Sequence, residues 1–387
     1  QTITTNDDSM YQVFTPFYKK WRHTLDISTI QMHEASAING NTKVKLEVSN
    51  ASATIEDIER VSKEVVEDYQ KALQNAGLLE PMDIDVQLEH ARAAYPAGED
   101  AACQRLEDFI AEDIDNYDIS RDVPSLNATS QLSAYLTIGA ISPRLCYLQA
   151  TLQLSKALGE LHGNGGDTLD SGDSFNNTDN NDINRWISEL AWRDFYRHVL
   201  DYKPELIRHQ AYKHETDVKI NWSYNQDDFE AWCIGKTGVP LVDAAMRCLN
   251  ATGFMHNRLR MVTAMFLTKD LLIDWRLGER YFMQQLIDGD FASNNGGWQW
   301  SASTGTDSAP YFRIMNPFSQ AKTHDTDGIF IKTWLPELKE IPATILHSED
   351  KMRKLLSRSG QLVKINYPKP MVDHKVARLL AIAEFKK

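Results

Sequence analysis

Residues 235–282 read GKTGVPLVDAAMRCLNATGFMHNRLRMVTAMFLTKDLLIDWRLGERYF, and this stretch decides the fold. Apolar residues recur at helical spacing over 240–251, 256–273 and 278–287. The same spacing marks 98–115, 131–140, 143–158 and 184–200. No run of alternating βα units appears, so the bulk of the chain is expected to be all-α. Upstream, Thr54 with Asp57 can cap a further helix carrying Ile55, Ile58, Val65, Tyr69 and Leu73, which Gly77 ends. Two stretches differ. Residues 22–55 are polar and read as a linker, and 159–183 are rich in Gly, Asn, Asp and Ser, which suits a flexible surface insertion rather than a core.

The composition narrows the function classes. At 387 residues the chain can bury a large core, and no apolar run approaches the roughly 20 residues that span a bilayer. A net charge of −13 argues against a nonspecific nucleic-acid coater, which draws its affinity from neutralising phosphates. A local basic groove remains compatible with it, since residues 351–387 hold ten Lys/Arg against two Asp/Glu. Cys103, Cys146, Cys233 and Cys248 form no CxxC pair, and the histidines have no HExxH spacing, so reduced thiols and no metal are expected. No GxGxxG and no Walker A sequence is present.

Three segments carry candidate chemistry. In the first, Thr129-Ser130-Gln131-Leu132-Ser133 precedes a helical run to Gly139. Hydroxyls and free amides at a helix start suit a pyrophosphate, although the same residues also read as an ordinary N-cap. In the second, Trp186–Arg197 (WISELAWRDFYR), Glu189 and Arg193 lie four apart beside Trp186 and Trp192. That places a carboxylate and an aromatic ring where they can line a pocket for a flat base, or a surface ion pair beside core aromatics. In the third, Asn257, Arg260 and Met261 share a helix face. Asp288-Gly289-Asp290 and Asn294-Asn295-Gly296-Gly297-Trp298-Gln299-Trp300 follow. An Arg on a helix and a carboxylate on the next loop can pair beside a polar ring system, and the glycines suit close backbone approach to a planar ligand. Loop residues beside core aromatics are the alternative reading.

Taken in order, GEDAACQRLEDFI, TSQLSAYLTIGAISPR, WISELAWRDFYRHVL, the 235–282 stretch, DGDFASNNGGWQWSASTGTDSAPYFRIMNP and FIKTWLPEL resemble consecutive motifs of the photolyase/cryptochrome family. The nearest resemblance is to class I cyclobutane pyrimidine dimer photolyases. It runs from about Met10 to the C-terminus, broken at the linker, the 54–76 helix and the 159–183 insertion. MYQVFTPFYKKW resembles the end of the family's N-terminal α/β domain. The implied organisation is residues 1–21 as the end of that domain, 22–97 as an interdomain linker with one helix, and 98–387 as the helical FAD-binding catalytic domain.

The resemblance implies further roles. FAD, active when reduced, would be held on its phosphate side by Tyr117, Thr129, Ser130, Gln131, Leu132 and Ser133. Trp186, Asn257, Arg260, Asp288, Gly289, Asp290 and Asn294 would surround the rest. Gln131 stands where many relatives carry Arg, which removes a charged phosphate contact. Asn294 would face flavin N5, where plant cryptochromes carry Asp. Trp298, Trp275 and Trp222 match the family's electron-transfer chain. A flipped-out dimer would meet Glu189, Trp192, Arg193, Asn257, Arg258, Met261 and Trp300, with Arg121, Arg313 and Gln320 toward the DNA. Phe254 replaces a Trp of close relatives. The expected activity is light-dependent repair of pyrimidine dimers in DNA by a monomeric, cytoplasmic protein. The antenna pigment of the family, a folate or a deazaflavin, is not expected on this fragment. The alternatives are a six-four photolyase, disfavoured by Asn257 and Met261 where histidines would stand, a cryptochrome photosensor, a DASH-type one being nearer, and a helical FAD-binding module without activity.

Overall fold

A computed structural model describes residues 3–5, 7–25, 93–161, 181–357 and 365–387. The expected helix at 54–76, most of the 22–55 linker and residues 162–180 lie outside them. Among the described residues the chain is helical, with isolated β-bridges at Thr4–Met10 and Ser223–Ile273 in place of a sheet. The all-α expectation therefore holds. Cys146, Cys233 and Cys248 are buried, and all four cysteines are free thiols.

Two apolar cores form. The first gathers Phe14, Phe17 and Trp21 of Phe14–Thr24 with Leu106 and Phe109 of Glu99–Glu112 and with Ile183, Ile187, Ala191 and Phe195 of Asn181–Tyr202. The second is built on Pro240–Thr252, which buries nine of its thirteen residues. Pro240 opens that helix, where a missing N–H costs nothing, and Gly253 closes it at φ +70°, a left-handed conformation that glycine adopts without strain.

The expected boundaries shift at three places, each for a physical reason. The 131–140 helix begins at Ser133, because Gln131 has a φ of +49° and stands outside the helical region. Thr129 and Ser130 therefore do not cap it. The 256–273 helix is α-helical over Asn257–Met265 and widens to a π-turn at Phe266–Asp270. The expected 278–287 helix runs over Trp275–Gln285, three residues earlier, since Asp274 caps it by accepting from the Arg276 N–H at 3.0 Å.

The alternative reading of the Asp288–Trp300 motif as loop beside core aromatics does not hold from Phe291 onward, where Phe291–Ala302 is a helix. Glycines lower helix propensity by about 1 kcal/mol each, but here close packing requires one of them. A Cβ on Gly296 would lie 2.1 Å from the Tyr196 ring of Asn181–Tyr202. This helix therefore approaches the first core closely, while Trp298 enters the second at 5.0 Å from Phe282, ring centre to ring centre.

Candidate active site

A cavity of about 550 Å³ opens where the two cores meet. Its size falls in the range of roughly 300–1,000 Å³ expected for a cofactor or ligand site. One side is formed by Tyr117, Thr129, Ser130, Gln131, Leu132 and Ser133. Among the described residues the side-chain hydroxyls of Thr129, Ser130 and Ser133 make no hydrogen bond within the chain, which leaves them available to a polar ligand. Gln131 is held from behind: its Oε1 accepts from Arg105 at 2.8 Å, and its amide donates to Asn127. Burial raises the Tyr117 phenol well above its ordinary value.

The opposite wall comes from Asn257–Met265 and the segment that follows Trp275–Gln285. Arg260 donates through Nη2 to both oxygens of Asp288, at 3.0 and 2.8 Å, and through Nε to the Met255 carbonyl at 2.7 Å. The Asp288 side chain is only 3% exposed, so a guanidinium and a carboxylate stand fixed at the cavity edge. Asn294 donates its amide to the Glu279 carbonyl at 2.9 Å, which leaves its Oδ1 for the cavity. Asp290 caps Phe291–Ala302 by accepting from Ser293 N–H at 3.0 Å and also receives Arg197 at 2.8 Å. Burial opposes its charge, but Arg197 and Ser293 outweigh that and hold its carboxyl below the usual carboxylate range. Gly289 does not reach the cavity lining.

Trp186, Glu189, Trp192, Arg193, Phe254, Asn257, Arg258, Met261, Trp298 and Trp300 are also in the lining. The suggested Glu189–Arg193 surface pair is not formed. Glu189 instead receives Arg121 at 2.6 Å, and Arg193 donates to the Leu136 carbonyl at 2.9 Å. Arg121 is 9% exposed and stacks over the Tyr117 ring at 5.2 Å, so its guanidinium turns inward to the carboxylate. Arg258 pairs with Asp122. Phe14 stacks on Trp192 at 3.7 Å and 6°, covering one face of that indole. Phe254 packs on Tyr95 at 6.3 Å. Arg313 is exposed outside the cavity, and Gln320 lies on Pro317–His324 with its Oε1 buried.

Trp275 and Trp222 lie behind the cavity. Trp298 lines it and is 2% exposed, Trp275 is fully buried, and Trp222 is partly exposed. A Cβ on Gly278, one turn along from Trp275, would sit 2.1 Å from Cη2 of Trp298.

Several lining residues escape a reading of the sequence. His256 caps Asn257–Met265, its Nδ1 accepting from Arg258 N–H at 3.2 Å. Burial pushes its imidazole down to about 4, so it is neutral at physiological pH. Histidine is not among the residue types that signal an N-cap in a sequence, so this cap leaves no local mark. Tyr196 and Arg185 also line the cavity and leave no local signal, and Phe14 reaches Trp192 from a distant position in the chain.

Comparison with known proteins shows the family. Residues 186–387 match the family described as the FAD binding domain of DNA photolyase. The chain is 41% identical over 384 residues to the deoxyribodipyrimidine photo-lyase of Salmonella typhimurium, covering 99% of this chain and 69% of that protein. It is 40% identical over 388 residues to the Escherichia coli protein of the same name, with the same coverage. Among solved structures it resembles a bacterial class III photolyase from Agrobacterium tumefaciens, with a TM-score of 0.70 and 31% identity over 99% of this chain and 70% of that one. A Synechocystis cryptochrome matches 74% of this chain and 56% of its own with a TM-score of 0.58 and 30% identity. The chain belongs to the DNA photolyase family and carries that family's FAD-binding domain.

Proposed function

We propose that this protein repairs cyclobutane pyrimidine dimers in DNA under light, with FAD bound in the cavity between its two cores. One observation carries the reading: a single cavity joins a polar wall fit for a dinucleotide to an aromatic, carboxylate-bearing wall fit for a base. The donor set matches FAD. Free hydroxyls of Thr129, Ser130 and Ser133 suit a pyrophosphate, and the Arg260–Asp288 pair offers a donor and an acceptor edge to a flavin ring. When bound in its reduced form, FAD supplies the light-driven electron that splits the cyclobutane ring.

The chain's own residues then bind, orient and exclude water. Asn294, fixed by its bond to Glu279, would offer a neutral acceptor to the flavin. Trp300 and Trp192 hold the dimer's two bases by stacking. Glu189, with one oxygen on Arg121, presents the other to a base edge, and Asn257, Arg258 and Met261 close the remaining side. Arg313 and Gln320 lie toward the DNA backbone. Trp298, Trp275 and Trp222 carry electrons inward during photoreduction. The FAD-binding region spans 98–387, and the protein acts as a cytoplasmic monomer. No helix among the described residues is long and apolar enough to cross a membrane.

The test is blue-light illumination of the protein, loaded with reduced FAD, on an oligonucleotide bearing one thymine dimer. Restoration of thymine in the light and not in the dark is expected; no restoration in the light refutes the assignment.

A further inference from the structure

Asp217 lies at the end of the short helix His214–Asp217 and is 5% exposed. Its Oδ1 accepts from the indole N–H of Trp222 at 3.2 Å and from that of Trp275 at 3.1 Å. The two indole nitrogens are therefore separated by no more than the sum of these distances. Its Oδ2 receives Arg276 at 2.5 Å, and Arg276 also reaches Asp274 at 3.1 Å and the His209 carbonyl at 2.7 Å. Asp274 in turn accepts from Tyr224 at 2.8 Å. The cluster thus holds two carboxylates against one guanidinium, with two indole N–H groups aimed at a single oxygen.

We infer that Asp217 positions Trp222 and Trp275 for electron transfer and stabilises the positive charge each carries while oxidised; this rests on the tryptophan-chain reading above. Loss of an electron makes an indole a radical cation and its N–H far more acidic. The carboxylate on that N–H already makes a charge-assisted bond, and the positive charge of the oxidised ring adds a direct Coulombic attraction to it. A low-dielectric surrounding magnifies that attraction. No covalent bond is made or broken. One electron leaves Trp298 for the light-excited oxidised flavin, one moves from Trp275 to Trp298, and one moves from Trp222 to Trp275. An external one-electron donor such as a thiol refills Trp222.

The surroundings also give the transfer a direction. The Arg276 guanidinium sits over the Trp275 ring, 4.6 Å from its centre. That contact is attractive while the ring is neutral and repulsive once it is a cation. Trp222 instead meets the edge of Phe385 at 5.9 Å. Positive charge therefore settles more readily on Trp222, the partly exposed member, than on Trp275, and its return toward the cavity is slowed.

The test compares Asp217→Asn, nearly identical in shape, with Asp217→Glu, which keeps the charge, in the FAD-loaded protein. Loss of a hydrogen bond to a charged group predicts a fall of about tenfold in the yield of light-driven FAD reduction for Asp217→Asn, with substantial recovery in Asp217→Glu. Flash absorption should show a shorter-lived tryptophan radical in Asp217→Asn. An unchanged yield in Asp217→Asn, or an equal loss in both variants, overturns the inference. Trp275→Phe and Trp222→Phe serve as controls: if both photoreduce like the parent, it is the tryptophan chain itself that is wrong. A second readout needs no photochemistry. In protein labelled with 15N-tryptophan, the Trp222 and Trp275 indole N–H signals should lie downfield and exchange slowly with D2O. Exchange of either at the rate of a free indole removes the shared bond and the inference with it.

Discussion

Glu189 and Arg121 illustrate how one contact redirects a residue's role. The family resemblance implies that Arg121 and Arg313 both meet DNA phosphates. In the fold, Arg121 turns inward to Glu189 at 2.6 Å, while Arg313 is exposed. The two arginines are thereby separable by salt. Arg313→Ala should weaken binding of a dimer-containing duplex and reduce its salt slope by about 1, the signature of a lost phosphate contact. Arg121→Met should weaken the same binding by about tenfold through the loss of a hydrogen bond to a charged group, with the salt slope unchanged. Fluorescence anisotropy over a salt series measures both. Glu189 itself was legible because a carboxylate beside two tryptophans on one helix face is unusual. Its partner was not, since Arg121 lies 68 positions away.

At the scale of elements, Phe291–Ala302 is the helix that sequence reasoning misses and the one on which both halves of the site depend. Its glycines divide by what faces them. Gly296 has the Tyr196 ring where a Cβ would stand, and Gly278 of Trp275–Gln285 has Trp298. Gly296→Ala and Gly278→Ala should each destabilise the protein by about 1–3 kcal/mol, since overpacking forces rings or backbone to shift. Gly297 has no atom within 4 Å of its notional Cβ and faces the cavity. Gly297→Ala should therefore raise the stability of the FAD-free protein by up to about 1 kcal/mol through helix propensity, while lowering FAD affinity because the methyl enters the cavity. Thermal melts with and without FAD separate the two effects; a variant that gains in both would remove Gly297 from the cavity wall.

For the molecule as a whole, the second core contains a buried lysine that links stability to pH. Lys269 is 0% exposed, donates to Ser303 Oγ at 2.9 Å and lies 3.3 Å from the centre of the Phe385 ring. Burial pushes its ammonium down to about 6. The unfolded chain keeps that proton up to about 10.4, so between these values the unfolded state binds more protons than the folded one. Stability from this group accordingly rises as pH increases from about 6. Lys269→Met should melt higher than the parent at pH 6, and the gap should narrow by pH 9. A gap independent of pH would mean that Lys269 stays protonated in the fold.

The ordered motifs determined most of what this protein is. Helical periodicity gave the all-α class, the residue types at 129–133, 186–193, 256–261 and 288–300 pointed to a pyrophosphate, a flat base and a planar ring, and the resemblance of the ordered motifs to the photolyase/cryptochrome family implied a flavin. Those features are local: spacing on one helix fixes a face, and hydroxyl, amide and indole groups carry their chemistry with them. The tertiary structure decided which of these groups remain free for a ligand. It turned Arg121 onto Glu189, laid Phe14 over Trp192, made a helix of a glycine-bearing stretch against Tyr196, and set Asp217 between two indoles. Each of these is a contact between residues far apart in the chain, or a backbone choice enforced by packing, and such contacts have no period and no motif. They arise when two cores close against each other and every buried polar group must find a partner.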